Sequence, residues 1–259
     1  MGNNIQFFSL NQFERAAISI TSESGLKEHV FDYNYYTRWT SYGSDDSIAE
    51  VIEFDLGVDQ QARFRYLPIL HQNSRSGKAE YFAGSEWQIF GAVWDNNEKG
   101  DLLIDHGAEV STQKFRITLY KTITPNTEKY VGMIMPCLLL FELEFNPYNL
   151  YYDIIPAGSL AENDRGLVNF SRKDDPVRKL YMLFDHQFTG KDLDYIEDLI
   201  RSGISVLINA CGDREKSFPG LRFKDIRRYV LVNKVTMRPT NGRVMSGASF
   251  SLTFRESVK

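Results

Sequence analysis

The chain has 259 residues, 42% of them hydrophobic, 14% aromatic and 25% charged, a composition that excludes disordered, collagenous and coiled-coil chains. One large domain or two ordinary ones fit that length, and either can build a core without metals or multiple disulfides. The net charge of −4 hides an asymmetry: residues 1–150 carry 12 basic and 20 acidic groups, whereas residues 151–259 carry 18 and 14.

The segment from Met1 to Arg15 has no basic stretch leading into a long apolar run, so no secretory signal is expected. Gln6 stands where an N-myristoylation site wants Ser or Thr. The most apolar stretch, Val131 to Phe141, is broken by Gly132 and Pro136 and falls short of the ~20 residues that span a bilayer. A soluble chain without a membrane partner is expected. Its two cysteines, Cys137 and Cys211, suit a reducing compartment, with a single bridge left open.

In chain order, the first readable elements alternate at period two: Val51 to Leu56, Phe115 to Tyr120 and Leu138 to Phe145. Turn-rich clusters separate them, at 41–46, 95–100 and 124–127, a spacing that predicts an all-β sandwich. The stretch from Asn146-Pro147 to Gly158 reads as a seam between domains 1–150 and 151–259. Beyond it, strands are predicted at Val177 to Phe184, Ile204 to Ile208, Tyr229 to Met237 and Ser249 to Phe254. One helix is predicted over Gly190 to Ser202, with Leu193, Ile196, Leu199 and Ile200 on one face, Thr189 as its cap and Gly203 as its stop. The second module therefore reads as a small α+β domain.

The segment from Val30 to Ser41, followed by Val51 to Gly57, carries a resemblance. Phe31, Asp32, Asn34, Thr37, Arg38, Trp39, Thr40, Ser41, Glu53, Asp55, Leu56 and Gly57 fit in order and spacing. It resembles the discoidin family, the galactose-binding-like jelly-roll sandwiches also called coagulation-factor type C domains. Trp87 to Gly91, Asp95-Asn-Asn97 and Glu128 to Gly132 extend the likeness over roughly residues 10–145. Tyr33 departs from it, standing where the family usually has Gly. The resemblance makes Asp32, Arg38, Trp39 and Asp55 a structural core, with Arg38 buried against Asp32 or Asp55. Calcium would want six to eight oxygens, and Asp32 and Asn34 offer two side chains, so no metal and no cofactor is expected.

The second module resembles, more loosely, small domains of bacteriophage tail and baseplate proteins, through Asp174 to His186, the helix and the closing Gly247 to Glu256.

No constellation for catalysis emerges. His29, His71, His106 and His186 are scattered, Cys211 lies in a strand-end turn, and neither a phosphate loop nor a nucleophile elbow is present, so no enzyme is expected. The leading expectation is a structural protein of a phage-like tail or baseplate, made in the host cytoplasm and found in the virion. Its basic face of Arg222, Lys224, Arg227, Arg228, Arg238 and Arg243 would meet the acidic domain of a neighbour or another tail protein, closing a ring of copies. Nucleic acid is not expected as a partner. The alternative is a carbohydrate-binding adhesin using Tyr33, Tyr35, Trp87 and Trp94 on the sandwich loops.

Overall fold

The structure, a computed structural model, describes residues 5–22, 24–32, 37–43 and 45–143. Beyond them it describes the strands named below, together with residues 194–196 and 198. The chain divides into two compact units, one built on Phe7–Leu140 and the other mainly on the chain from Phe141 onward.

The strands up to Glu142 are β1 (Gln6–Phe8), β2 (Ala17–Ile20), β3 (Trp39–Thr40), β4 (Glu50–Asp55), β5 (Ala62–Gln72), β6 (Ser74–Ala83), β7 (Glu86–Ile89), β8 (Leu102–Thr112), β9 (Lys114–Thr122), β10 (Tyr130–Ile134) and β11 (Leu139–Glu142). A 3-10 turn at Lys27–Phe31 precedes β3. Two antiparallel sheets form, one ordered β3-β10-β5-β8 and the other β2-β4-β9-β6-β7. Between them lies an aromatic core that includes Phe13, Trp39, Phe54, Phe64, Phe90 and Phe115, all fully buried. Phe64 stacks on Phe90 with centroids 4.7 Å apart, and Phe31 stacks on Phe54 at the same separation. This is the expected β-sandwich.

Period two decides which side chains enter that core. On β4, Ile52 and Phe54 face inward while Glu53 and Asp55 face out, and β9 pairs with it so that Ile52 opposes Ile117 and Phe54 opposes Phe115. Arg116 therefore points outward, where its Nε donates to Glu80 Oε2 at 2.7 Å and its guanidinium lies 4.1 Å from the centre of the Trp87 ring.

The remaining strands are β12 (Asn149–Ile155), β13 (Gly158–Glu162), β14 (Val168–Arg172), β15 (Val177–Phe184), β16 (Val206–Asn209), β17 (Arg227–Leu231), β18 (Arg238–Pro239) and β19 (Ala248–Glu256). An eight-stranded sheet runs β11-β1-β16-β17-β19-β15-β12, with β18 paired to β19; β13 and β14 form a hairpin of their own. The expected helix is represented by residues 194–196 and 198. Ile196, one of the four residues of the expected apolar face, is buried there, whereas Asp194, Tyr195 and Asp198 are exposed; Leu193, Leu199 and Ile200 lie outside the described residues. No helix among the described residues is long and apolar enough to cross a membrane.

Acid should weaken the sandwich unit. The Arg65 guanidinium, with its Nε 2.8 Å from Asp105 Oδ1, holds that carboxyl below its ordinary range. Lys114, 2.8 Å from Asp55 Oδ2, does the same there. Burial pushes Glu80 up, but hydrogen bonds from Arg116 and Lys78 outweigh it and the net shift is downward. Each group binds its proton less readily folded than unfolded, so its contribution is present above about pH 4 and lost as pH falls through the lower folded value. Urea midpoints should decline from pH 5 toward pH 2, by about those limits, and a midpoint flat over that interval would contradict this reading.

Candidate functional site

An open cleft of about 520 Å³ is lined by Arg38, Gln72, Asn73, Gly100, Ile123, Thr124, Thr127, Glu128 and Tyr130. Its position follows from the register of the four-stranded sheet. Val131 pairs with Trp39 on one side and Gln72 on the other, and Tyr130 pairs with Thr40. Trp39 and Val131 point into the core, so Arg38 and Tyr130 fall on the outer face one diagonal step apart. The Arg38 guanidinium lies 4.1 Å from the Tyr130 ring centre, and His71 meets the same ring edge-on at 5.6 Å.

Gly132 makes this crowding possible. A Cβ there would come 2.9 Å from His71 Cβ and 3.3 Å from the Thr37 carbonyl oxygen. His71 itself adopts φ +52°, a left-handed conformation uncommon for a residue other than Gly or Asn. Its amide donates to Asp101 Oδ1 at 2.7 Å, which helps to hold the bend.

The amides that line the cleft are occupied by the fold. Asn73 accepts from the Tyr130 amide at 2.9 Å and donates to the Glu128 carbonyl at 2.7 Å. Gln72 Nε2 donates to the Lys99 carbonyl at 2.9 Å, and its Oε1 accepts from the Ser74 amide. These two side chains replace backbone pairing at the strand ends and act as wall, not as ligand groups. The opposite wall is equally fixed. Asp46 accepts from the Thr122 amide at 3.1 Å, the Thr122 hydroxyl at 2.8 Å and the Asn126 amide at 3.1 Å. Burial raises the Asp46 pKa, but these donors outweigh it and leave the carboxyl below its ordinary range. Lys129, only 2% exposed, runs behind the wall and donates from Nζ to the Asp45 carbonyl at 3.0 Å. Among the lining residues, Arg38, Tyr130, Glu128 and Thr124 keep their side chains out of these bonds, and they bring a guanidinium, a phenol, a carboxylate and a hydroxyl to the lining.

Arg38 requires a correction. It was expected to be buried against Asp32 or Asp55, but it is exposed and rests on Tyr130. The reason is alternation: with Trp39 in the core, its neighbour must face out. Asp55 pairs with Lys114, and Asp32 accepts from the Thr37 hydroxyl at 2.5 Å. Trp39 is fully buried.

The aromatic site expected for sugar does not assemble from its two tryptophans. Trp87 opposes Phe82 on the outer face of the five-stranded sheet, beneath Arg116. Trp94 bridges Gly77 on the core side, where its Nε1 donates to Ser74 Oγ at 3.1 Å. They lie on opposite faces of β6, because Gly77 and Phe82 differ in parity. Tyr33 and Tyr35 lie outside the described residues.

Of the expected basic face, Arg222, Lys224 and Arg243 lie outside the described residues. Arg227 and Arg228 pair with Ile208 and Leu207, and Arg238 pairs with Ser249. Cys137 is buried, which pushes its thiol pKa up and away from reactivity. Cys211 and His186 lie outside the described residues. Among the described residues, no group of three or more His, Cys, Asp or Glu is arranged to hold a metal ion. Sequence reasoning passed over Asn73, Thr124 and Tyr130 as site residues; the polar run His71-Gln-Asn-Ser74 between two apolar strands was the available signal.

The strand order defines a class, an antiparallel β-sandwich with an aromatic core. No family model matches the chain, and no curated protein matches it. Solved structures with similar folds include chitosan-binding module 1 of a chitosanase/glucanase from Paenibacillus sp. IK-5, at 14% identity and TM-score 0.43, covering 50% of this chain and 98% of that one. Another is the family 32 CBM of NanJ from C. perfringens, solved with galactose, at 13% identity and TM-score 0.42, covering 50% and 98%. A third is a GH29 fucosidase from Ruminococcus gnavus in complex with fucose, at 16% identity and TM-score 0.40, covering 51% of this chain and 27% of that one. The chain thus spans about a quarter of the fucosidase's length, and likenesses of this degree carry no argument about function.

Proposed function

We propose that the sandwich unit is a non-catalytic carbohydrate-binding module whose ligand seats in the cleft between Arg38, Tyr130 and Glu128. One observation carries this reading. The cleft offers a guanidinium, a phenol and a carboxylate, while the amides and turns that frame it are already hydrogen-bonded in place. Its volume falls within the roughly 300–1,000 Å³ of small-molecule sites. Sugars present alternating hydroxyl donors and acceptors on a small rigid ring. A carboxylate that accepts two hydroxyls and a guanidinium that donates several hydrogen bonds match that pattern, and a prebuilt wall lowers the ordering cost of binding.

Nothing in the cleft pairs a nucleophile with a base, so the role is recognition. The tail or baseplate role rests on the loose resemblance of the second module and on the charge asymmetry of the sequence, and no structural observation favours it over the cleft.

Glycan-array screening of the full chain tests the proposal. At least one saccharide class should bind, and Glu128→Ala and Tyr130→Ala should each weaken that signal about tenfold, the loss of roughly one charged or aromatic contact. Absence of binding to every glycan, or full binding by both variants, would remove the cleft from consideration.

A further inference from the structure

We infer that the saccharide taken by this cleft carries a carboxylate, which the Arg38 guanidinium receives. This rests on the carbohydrate reading above and specifies its ligand. Arg38 is exposed, yet it is held in one place by the Tyr130 ring beneath it at 4.1 Å. Stacking uses the face of a guanidinium and leaves its N–H edge free. Arg65, by contrast, spends that edge on both oxygens of Asp105, at 2.8 and 3.0 Å. Among the described residues Arg38 makes no such ion pair. It is a positioned, planar, permanently charged donor fork whose natural complement is a carboxylate bound through two parallel hydrogen bonds.

The amide donors of the cleft are engaged by the fold, which leaves Arg38 as its one charged donor among the described residues. The Gln72 and Asn73 amides, which would ordinarily read hydroxyls, are bonded to the Lys99 and Glu128 carbonyls. Glu128 then limits how much negative charge the ligand can bring. Glu128 lines the same cleft, and residues 1–150 carry eight more acidic than basic groups, so a densely charged polyanion is repelled. The ligand that satisfies both walls has one carboxylate at the Arg38 end and hydroxyls at the Glu128 end. Hexuronic acids and nonulosonic acids, the family of sialic acid, both have that form.

Five probes separate the outcomes: digalacturonate, sialyllactose, the methyl ester of each, and lactose as the neutral control, each titrated into the full chain at neutral pH. An acid should bind about tenfold or more tightly than its own ester, the usual return on a charge-assisted pair. Which acid does so identifies the source of the carboxylate. In Arg38→Gln the difference in affinity between an acid and its ester should disappear, while the unfolding midpoint holds. Equal binding of acid and ester, or a preference for lactose, overturns the carboxylate inference and leaves the carbohydrate reading standing. Failure of all five probes together with every glycan on the array overturns both.

Discussion

Replacing Trp39 by alanine is expected to cost about 3–5 kcal/mol of the sandwich unit's stability, whereas Trp39→Phe should cost less than about 1 kcal/mol. The first figure follows from burial. Trp39 is fully buried in β3, between the strand partner Val131 and the aromatic cluster, and truncation leaves a cavity that the two sheets cannot close. The second follows from a defect in the native packing: the Trp39 indole Nε1 is buried without a hydrogen-bond partner among the described residues. An unsatisfied buried donor carries a penalty of about 1–3 kcal/mol, and phenylalanine removes it while keeping most of the ring. The two terms nearly cancel. Urea unfolding followed by circular dichroism measures both variants, and a phenylalanine variant as unstable as the alanine one would show that the indole nitrogen is satisfied in solution.

Gly77→Ala should be almost as damaging, at about 3 kcal/mol, although it adds a single carbon. That carbon would sit 2.3 Å from Trp94 Cζ2 and 2.5 Å from the Thr118 backbone oxygen. The ring cannot simply swing aside, because Trp94 exchanges two backbone hydrogen bonds with Gly77, at 3.0 and 3.1 Å, and a third through its indole to Ser74. Thr118 belongs to β9 and is equally fixed by its pairing with Lys78. Pairing Gly77→Ala with Trp94→Leu should recover part of the loss but not all of it, because the oxygen contact remains. A double-mutant cycle isolates that coupling. Wild-type stability in the single variant would mean that β6 and the Trp94 segment are farther apart than described.

The sequence showed the sandwich where one face of a strand is wet. β4 and β9 alternate, and their predicted limits differ from the observed ones by no more than two residues. It did not show β5, whose run from Tyr66 to Leu70 is buried on both faces and contains Pro68, so periodicity vanishes. Nor did it show β6, where Ser74, Ser76 and Gly77 are buried polar or small residues, with Trp94 filling the space above Gly77. Neighbouring segments, not its own pattern, make that strand.

The site was less legible for a related reason. Arg38 was assigned to the core on resemblance, although elementary alternation beside an inward Trp39 places it outside. Tyr130 and Asn73 gain their roles from the three-strand register of β3, β10 and β5, which joins positions some 90 residues apart in sequence. No local pattern encodes that meeting. Trp87 and Trp94 looked like a platform because they are close in sequence, yet strand parity sends them to opposite faces.

The central claim is that saccharide binds in the cleft of the sandwich unit. Amide chemical-shift mapping of the isotopically labelled full chain during titration with the best-binding glycan tests it most directly. The account predicts that the perturbed amides cluster at Arg38, Asn73, Thr124, Glu128 and Tyr130, and that the same titration of Arg38→Gln loses the shifts at the Arg38 end first. Perturbations centred instead on Trp87 and the outer face of the five-stranded sheet, with the cleft amides unmoved, would contradict it.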